Sequence, residues 1–371
     1  MNGVIDRRRF LAVSAAAVVQ VACGRRGGNA FRGYAFVANQ EGQAIAAVDL
    51  EVMAVARHIP LDAAPSMVIS AGKLPFVYAL TSTTGSVHEI QADRLSFTRK
   101  LTVASTAVTM QMSPDGRFLY VLARDPRALV RVSLETFRAD GRFDLPSDPV
   151  DLAISQDGKT AAVSLTGAIH LVDLAAMRLN PPSGAGDFGG SCFRFDGKVL
   201  LAANRGERLL SVYDVASTRL ITHLPLALRP DNLCFKSDGG ELFITGEGMD
   251  GVVIVSPYGM PEVEETVLAG HAPGPMAASS AYLFVASPQS GDVSILEMYS
   301  RKVIAVVSVG SDPGFVTVTP DDQYALVLNR KSGDVAVLRT GTITKNRYRS
   351  AALLTVIPVG SRPVSAAVRA V

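Results

Sequence analysis

The feature of this sequence that most constrains its fold is a repeat of about 42 residues, which fills nearly all of the chain after residue 33. One complete copy lies within the stretch from Ser311 to Thr340. In that copy the alternating segment GFVTVT precedes a turn, the apolar segment YALVLN, a polar loop and the segment DVAVLR. The turn is marked by Pro320 and Asp321, because proline presets φ and aspartate accepts hydrogen bonds from nearby backbone N–H groups. Short strands separated by turns, without a helical period, predict an antiparallel meander.

Each class of strand recurs eight times along the chain. The second strand of each copy begins near Tyr34, Pro75, Phe118, Thr160, Val199, Glu241, Tyr282 and Tyr324. Four-stranded units at a spacing of about 40–45 residues are typical of β-propeller blades. The sequence therefore predicts an all-β propeller with eight four-stranded blades, and seven blades remain the alternative.

The two ends of the repeat array complement each other. The first copy lacks its first strand, whereas the chain ends on a spare one, PVSAAVRAV. We expect the segment from Val364 to Val368 to pair beside Tyr34 to Asn39. This pairing between the N- and C-terminal strands would close the ring and remove two exposed strand edges.

Residues 1–23 differ from the repeats and are typical of an export signal. A basic segment that includes Arg7, Arg8 and Arg9 runs into an apolar stretch too short to span a membrane. Arg7 to Leu11 resembles the twin-arginine signal, although Asp6 and Ala12 depart from that pattern. An ordinary secretory signal with an extra arginine is the alternative.

Cys23 lies in the segment VACG, which resembles a lipoprotein processing site, with Gln20 as the departure from the pattern. A signal that ends in small residues, with a cysteine there by chance, is the alternative. The glycine-rich residues 24–33 suit a flexible tether, and residues 34–371 form a single propeller domain. The predicted location is the periplasmic side of a bacterial membrane, reached through a lipid anchor.

Composition narrows the class of partner. The formal net charge is +2 and the apolar fraction is 48%, so we expect a large buried β core and no nucleic-acid partner. Of the three cysteines, Cys192 and Cys234 occupy equivalent positions in successive first strands. Rotation about the ring axis points their side chains the same way, so we expect two buried free thiols.

Several repeats resemble those of the YVTN-type propeller family. The segments FVANQEGQAIAAVDL and ALVLNRKSGDVAVLRT match its strand–loop–strand pattern, and VGSDP and VGSRP match its linker. The resemblance covers nearly the whole chain after the signal and implies the propeller fold. It is weak for function, because such propellers include binding scaffolds, lactonase-like enzymes and subunits of periplasmic dehydrogenases.

The candidate site residues lie in the loops around one mouth of the central channel, which is the usual place for a ligand. Arg229 and Arg362, flanked by His271, would hold a polar or anionic ligand. Asp148 and Asp312 precede other first strands on the same face. An ordinary solvated rim is the alternative interpretation of these five residues.

Motifs of catalysis and cofactor binding are absent from the sequence. The five histidines show no metal-ligand spacing, and there is no G-x-S-x-G elbow or C-x-x-C-H haem attachment. His88 and His170 fall in third strands, where a core histidine is expected. No catalytic residue, metal or cofactor is predicted.

These observations favour a non-catalytic exported scaffold that binds a protein, a glycan or another envelope ligand at the channel-mouth loops. The alternative is a lactonase-like hydrolase or an accessory subunit of a periplasmic redox enzyme.

Overall fold

The computed structural model describes residues 31–72, 74–343 and 352–370. The predicted export signal, with Arg7, Arg8 and the lipidation residue Cys23, lies outside the described residues. Within the described ranges the chain forms eight four-stranded antiparallel sheets. No helix in these ranges has the length and apolar character needed to cross a membrane.

The strands are short, and they follow one another along the chain. The first sixteen are β1 (Gly33–Asn39), β2 (Ala44–Asp49), β3 (Ala54–Pro60), β4 (Met67–Ser70), β5 (Phe76–Thr81), β6 (Ser86–Gln91), β7 (Ser96–Thr102), β8 (Thr106–Met112), β9 (Phe118–Asp125), β10 (Arg127–Ser133), β11 (Arg138–Asp144), β12 (Pro149–Ile154), β13 (Thr160–Leu165), β14 (Ala168–Asp173), β15 (Arg178–Ala185) and β16 (Phe188–Phe193). The others are β17 (Val199–Asn204), β18 (Leu209–Asp214), β19 (Leu220–Pro225), β20 (Arg229–Phe235), β21 (Leu242–Glu247), β22 (Gly251–Ser256), β23 (Glu262–Leu268), β24 (Met276–Ala278), β25 (Tyr282–Ser287), β26 (Asp292–Glu297), β27 (Lys302–Ser308), β28 (Pro313–Val318), β29 (Tyr324–Asn329), β30 (Asp334–Arg339), β31 (Leu353–Pro358) and β32 (Pro363–Ala370). Two 3₁₀ turns, Ser82–Thr84 and Thr340–Thr342, complete the described secondary structure.

Each sheet is one blade of a propeller. Blade 1 consists of β32, β1, β2 and β3, from the innermost strand outwards. Blades 2 to 8 take the strands from β4 to β31 in groups of four, again beginning at the channel. Each innermost strand contacts those of both neighbouring blades, including β32 with β4 and with β28, so the ring is closed. The expectation of eight blades is confirmed.

Closure occurs where the sequence predicts it. Ala366 of β32 lies opposite Val37 of β1, and Arg369 lies opposite Tyr34, in an antiparallel ladder. The pairing shifts register between Ala38 and Asn39, at the channel-mouth end of the blade. The last strand of the chain thereby supplies the first strand of the first blade.

The hydrophobic core is divided into layers between neighbouring blades. One layer joins Val37 of blade 1 to Leu326 and Val337 of blade 8, and all three side chains are fully buried. Complete burial of such side chains stabilises the fold by about 1.5–3 kcal/mol each. Phe31 packs into the same layer, so packed structure begins before residue 34, within the predicted tether.

The turns after the innermost strands repeat one hydrogen-bond pattern. Ser113 Oγ donates to Asp115 Oδ1 at 2.6 Å, and the Arg117 N–H donates to the same oxygen at 3.0 Å. These donors, the serine first, lower the pKa of the Asp115 carboxyl. Ser155 and Asp157 repeat the arrangement one blade later. The Asp-Gly turns seen in the sequence are therefore structural elements.

Two faces result from this chain path. The mouth face carries the loops that lead into innermost strands and those that join second to third strands, such as 358–363 and 39–44. The turn face carries the loops that join first to second and third to fourth strands, such as 112–118 and 297–302. All five predicted site residues lie on the mouth face.

Candidate functional site on the mouth face

The five predicted site residues occupy similar places in different blades. Arg229 is the first residue of β20, and His271 lies in the loop before β24. Asp148, Asp312 and Arg362 each directly precede the proline that begins β12, β28 or β32. They are therefore spread over the loops that enter blades 4, 6, 7, 8 and 1.

Each of the five has a partner of opposite charge in its own blade or the next one. The pairs are Arg127–Asp148 at 3.4 Å, Arg229–Glu247 at 3.0 Å, His271–Asp250 at 3.0 Å, Arg330–Asp312 at 2.6 Å and Arg362–Glu41 at 3.5 Å. Arg229 and His271 flank one pocket, whereas the other three lie in separate loops of the rim. The structure thus brings together two of the five.

That pocket lies between blades 6 and 7 and has a volume of about 510 Å³. Its walls come from the start of β20, the loop between β21 and β22, the loop before β24 and the loop after β25. The lining residues are Asp231, Asn232, Gly246, Glu247, Gly248, Met249, Asp250, Ala272, Pro273, Gly274 and Gln289. Its size falls within the range of small-molecule sites, and its lining is about equally polar and apolar.

Three carboxylates line the pocket, and each has a cationic group behind it. Glu247 accepts a hydrogen bond from Arg229 Nη1 at 3.0 Å. Asp250 Oδ2 lies 3.0 Å from His271 Nδ1. Asp231 Oδ1 lies 3.0 Å from Nε of Arg205, although the two are not aligned for a hydrogen bond. The carboxylates are held in fixed positions by partners outside the cavity.

The His271–Asp250 pair shifts the titration of both groups. The hydrogen bond and charge of Asp250 raise the pKa of His271, and the side chain of Gln289 acts in the same direction. The pKa of Asp250 is lowered first by the Ala272 N–H, which donates to Oδ1 at 2.8 Å, and then by His271. The contact between His271 and Asp250 therefore connects the loops of blades 6 and 7 beside the pocket.

The local backbone explains how Asp231 reaches the pocket. The β20–β21 ladder shifts register between Pro230 and Asn232, so Asp231 occupies a bulge, which re-aims a side chain. A Cβ atom on the facing Gly246 would lie only 1.8 Å from the Arg229 carbonyl oxygen. Glycine at this position permits the close approach of the two strands that forms the bulge.

Arg205 connects this bulge to the channel-side strands of blades 4 and 5. A Cβ on Gly189 would lie 2.4 Å from Arg205 Nε, so glycine gives the arginine room to cross its own innermost strand. Nearby, Asp151 accepts a hydrogen bond from the Ser191 N–H at 3.0 Å. Burial raises the pKa of Asp151 to about 6, opposed by backbone hydrogen bonds and by the charge of Arg205.

Sequence reasoning did not identify Asp151 and Asp231 as site residues. Asp231 lies one position after Pro230, where Gly314 and Val364 follow Pro313 and Pro363 in other blades. Asp151 lies two positions after Pro149, where Phe315 and Ser365 stand in those blades. The available signal was a carboxylate just after the proline near the start of an innermost strand.

The two described cysteines are unpaired, as the sequence predicts. Burial is the main cause that raises the pKa of both thiols, to about 12 for Cys234 and higher for Cys192. Both side chains are partly buried where the sequence predicts buried thiols, and the raised pKa disfavours the thiolate, which is the nucleophile.

Three other histidines make polar contacts within their own blades. His88 and His170 are buried, as expected, and their rings contact Thr81 Oγ1 at 3.2 Å and the Asn180 carbonyl at 3.0 Å. His223 Nδ1 lies 3.0 Å from Oγ of Ser211. The hydroxyl residues Thr81 and Ser211 are fully buried and closed to a substrate. In the described part of the chain, no group of three His, Cys, Asp or Glu side chains could hold a metal ion.

Comparison with known proteins places the chain among propellers. No protein-family model matches it. An uncharacterized WD repeat-containing protein of Synechocystis sp. is 26% identical over 175 residues, which are 46% of this chain and 48% of that protein. The chain thus matches about half of the length of this curated relative.

Two solved structures share the fold. The dihydro-heme d1 dehydrogenase NirN, in complex with DHE, superposes with a TM-score of 0.74 at 14% identity, over 92% of this chain and 76% of that one. Hydrazine synthase of Kuenenia stuttgartiensis superposes with a TM-score of 0.58 at 23% identity, over 74% and 95% of the two chains. At these identities the likeness shows the fold alone. The chain is an eight-bladed β-propeller with WD-repeat-like relatives.

Proposed function

We propose that this protein is an exported YVTN-type propeller that binds a glycan of the cell envelope in the pocket between blades 6 and 7, without catalysing a reaction. A lipid on Cys23 would tether it to the periplasmic side of a bacterial membrane. The observation that carries the binding role is the set of three pocket carboxylates, Asp231, Glu247 and Asp250, each held by a cation behind it.

The chemistry of the pocket suits hydroxyl groups. Sugar hydroxyls both donate and accept hydrogen bonds. The carboxylates of the pocket accept, while the side-chain amides of Asn232 and Gln289 do both. Hydrogen bonds to charged acceptors are worth about 1.5–3 kcal/mol each. Two or three of them would give a pocket of this size useful affinity for one or two sugar rings.

A hydroxyl or thiol nucleophile receives no support from the described side chains. The hydroxyls that contact histidine, Thr81 and Ser211, are buried, and the two thiols are kept protonated by burial. A lactonase-like hydrolase would need an accessible nucleophile or base aligned with an oxyanion site.

The test is calorimetric titration of the purified protein with soluble fragments of envelope glycans. We expect Asp250→Asn to weaken binding by about 10- to 100-fold, the equivalent of one charged hydrogen bond. Glu41→Gln is the control. Glu41 is also a mouth-face carboxylate with a cationic partner, Arg362, but it lies outside the pocket, whereas Glu247, the partner of Arg229, lines it. Equal effects of the two variants, or capture of a protein with no glycan binding, would contradict the proposal.

A second candidate is an accessory role beside a periplasmic redox enzyme. It is favoured by the superposition on the dihydro-heme d1 dehydrogenase NirN in complex with DHE, which extends over 92% of this chain. Titration with haem, followed by the absorbance of the tetrapyrrole, distinguishes the redox role from glycan binding. A saturable spectral shift that Asp250→Asn leaves unchanged would favour the redox role.

A further inference from the structure

The two faces of the propeller differ in their exposed apolar side chains. Among the described loops, every exposed large apolar residue lies on the turn face. They are Val52 (67% exposed), Phe195 (39%), Tyr258 (41%), Met260 (74%) and Tyr299 (99%). At the mouth end the exception is Leu268, the last residue of strand β23. The mouth-face loops are instead polar and ion-paired.

These apolar tips lie along an arc of the turn face that runs from blade 5 to blade 1, and the described loops of blade 8, between blades 7 and 1, contribute none. Val52 is in blade 1, Tyr299 in blade 7, and Met260 and Tyr258 in blade 6. Phe195 extends the arc into blade 5, where its ring packs on Phe235 with the centroids 5.2 Å apart. In blades 2 to 4 the described loops of this face hold no exposed large apolar side chain.

Part of the arc is held rigid by polar contacts. Arg194 makes two hydrogen bonds to Asp196, at 2.8 and 2.9 Å, and donates a third to the Pro257 carbonyl at 2.9 Å. Its guanidinium lies 4.9 Å from the centroid of the Tyr258 ring. Tyr258 is therefore held in place without help from a partner, so docking there would lose little side-chain entropy.

The chain also joins the propeller on this face. Gly33, the first residue of β1, lies opposite Ala370 at the turn-face end of blade 1. Its carbonyl accepts a hydrogen bond from the Leu50 N–H at 3.0 Å, two residues before Val52. Phe31 lies eight positions after Cys23, and an extended chain of that length reaches about 28 Å. A lipid on Cys23 would keep this face within about 28 Å of the bilayer surface.

From the shared location of these features we infer that the turn-face arc of blades 5, 6, 7 and 1 docks on a lipid surface. The tips of Val52, Met260 and Tyr299 enter the headgroup region, and the mouth-face pocket points away from the membrane. Tyrosine suits this zone because its ring is apolar and its hydroxyl stays wet. Arg32 and Lys302 are exposed beside the tips, and Arg32 lies 4.0 Å from the carboxylate of Glu51. The orientation, though not the lipid contact, rests on the anchor in the proposed function.

The experiment measures the depth of two labels in the same blade. Tyr299→Cys and Ser290→Cys place a fluorescent label on the turn face and the mouth face of blade 7, in the full chain bound to phosphatidylethanolamine–phosphatidylglycerol vesicles. Brominated lipid should quench the label at 299 at least about twofold more than the label at 290, because interfacial groups sit about 5–10 Å into the headgroup boundary. Equal quenching at the two positions, or quenching of both by iodide only, would overturn the inference.

A mass measurement on the same preparation separates this inference from the anchor. A lipid on Cys23 with both labels in water would retain the anchor and refute the docked face. Absence of the lipid with selective quenching at 299 would refute the anchor and retain the docked face. Tyr299→Asp and Ser290→Asp in a Cys23→Ser chain give the second readout, since only the former should lower the vesicle-bound fraction.

Discussion

Asn39 Nδ2 donates a hydrogen bond to the carbonyl oxygen of Val359 at 2.6 Å, across 320 positions of sequence. Asn329 makes the equivalent bond to Val309 at 2.9 Å, across 20 positions. Each asparagine ends a second strand, and each carbonyl lies in the loop that leads into the innermost strand of that blade. The ring is closed by the same contact that a blade formed from continuous chain makes.

We expect Asn39→Ala to lower the free energy of unfolding by about 1–2 kcal/mol, and Asn329→Ala by at least as much, because Asn329 also donates to Asp334 at 2.6 Å. Both changes leave a buried carbonyl oxygen without its donor. Urea denaturation of the two variants provides the measurement. If only Asn329→Ala were destabilising, the closure of the ring seen here would not exist in solution.

Removal of residues 363–371 should produce a protein that aggregates and is cut rapidly by proteases. The deletion removes β32, exposes the edge of β1 and uncovers core side chains such as Val37. Limited proteolysis and a thermal melt test this expectation. Removal of residues 370–371 is the control, because Ala370 is exposed and most of the β1–β32 ladder remains. A melting temperature unchanged by the longer deletion would refute the role of β32.

An ion pair between buried Glu89 and partly exposed Arg99 stabilises the contact between blades 2 and 3. Glu89 is only 1% exposed and accepts hydrogen bonds from Arg99, at 2.8 and 3.0 Å, and from the Tyr78 hydroxyl at 3.2 Å. The Arg99 guanidinium also lies 4.5 Å from the centroid of the Phe137 ring in blade 3. Arg99 therefore both compensates the charge of Glu89 and packs across the blade boundary.

Arg99→Met should lower the free energy of unfolding by about 3 kcal/mol, because it leaves a buried carboxylate without its cation. The double variant Glu89→Gln/Arg99→Met should recover part of that loss. Chemical denaturation of the two single variants and the double variant completes the cycle. Strictly additive losses would show that the pair does not act as a unit.

Asp151 should make stability fall as pH rises between about 4 and 6. Burial raises its pKa to about 6 in the folded protein, above the ordinary value of about 4. The stability that it contributes is complete below pH 4 and is lost as pH rises through 6, by up to about 3 kcal/mol.

Asp151→Asn should therefore stabilise the protein at pH 8 and leave it unchanged at pH 4. The midpoints of urea denaturation of the unchanged protein and of Asp151→Asn, measured from pH 4 to pH 8, test the sign of this pH dependence. The lowered pKa values of Asp115 and Asp157 act in the opposite direction, but they are common to both proteins and cancel in the difference. If the stabilities of the two proteins changed with pH in parallel, the raised pKa of Asp151 would be contradicted.

The blade count and the closure were predictable because their information is local and periodic. Turn residues such as Pro320 and Asp321 separate strands that pair with their neighbours in sequence. A missing strand at one end and a spare one at the other left a single simple way to close the ring. The unpaired state of Cys192 and Cys234 followed from the same rotational symmetry.

The composition of the candidate site was only partly predictable. The sequence placed Arg229 and His271 on the mouth face, but gave no indication that they would flank one pocket while Asp148, Asp312 and Arg362 lie elsewhere. It also failed to single out Asp231.

The sequence by itself determined that this chain is a propeller, favoured eight blades over seven and showed which loops share a face, because strand order and turn chemistry repeat at a fixed period. Only the tertiary structure decided which charged groups meet, since that depends on bulges such as the one at Asp231 and on the space that Gly189 and Gly246 leave. These contacts connect different strands and adjacent blades at distances of about 3 Å. A sequence repeat of about 42 residues fixes the order of the strands but not the positions of side chains at that precision.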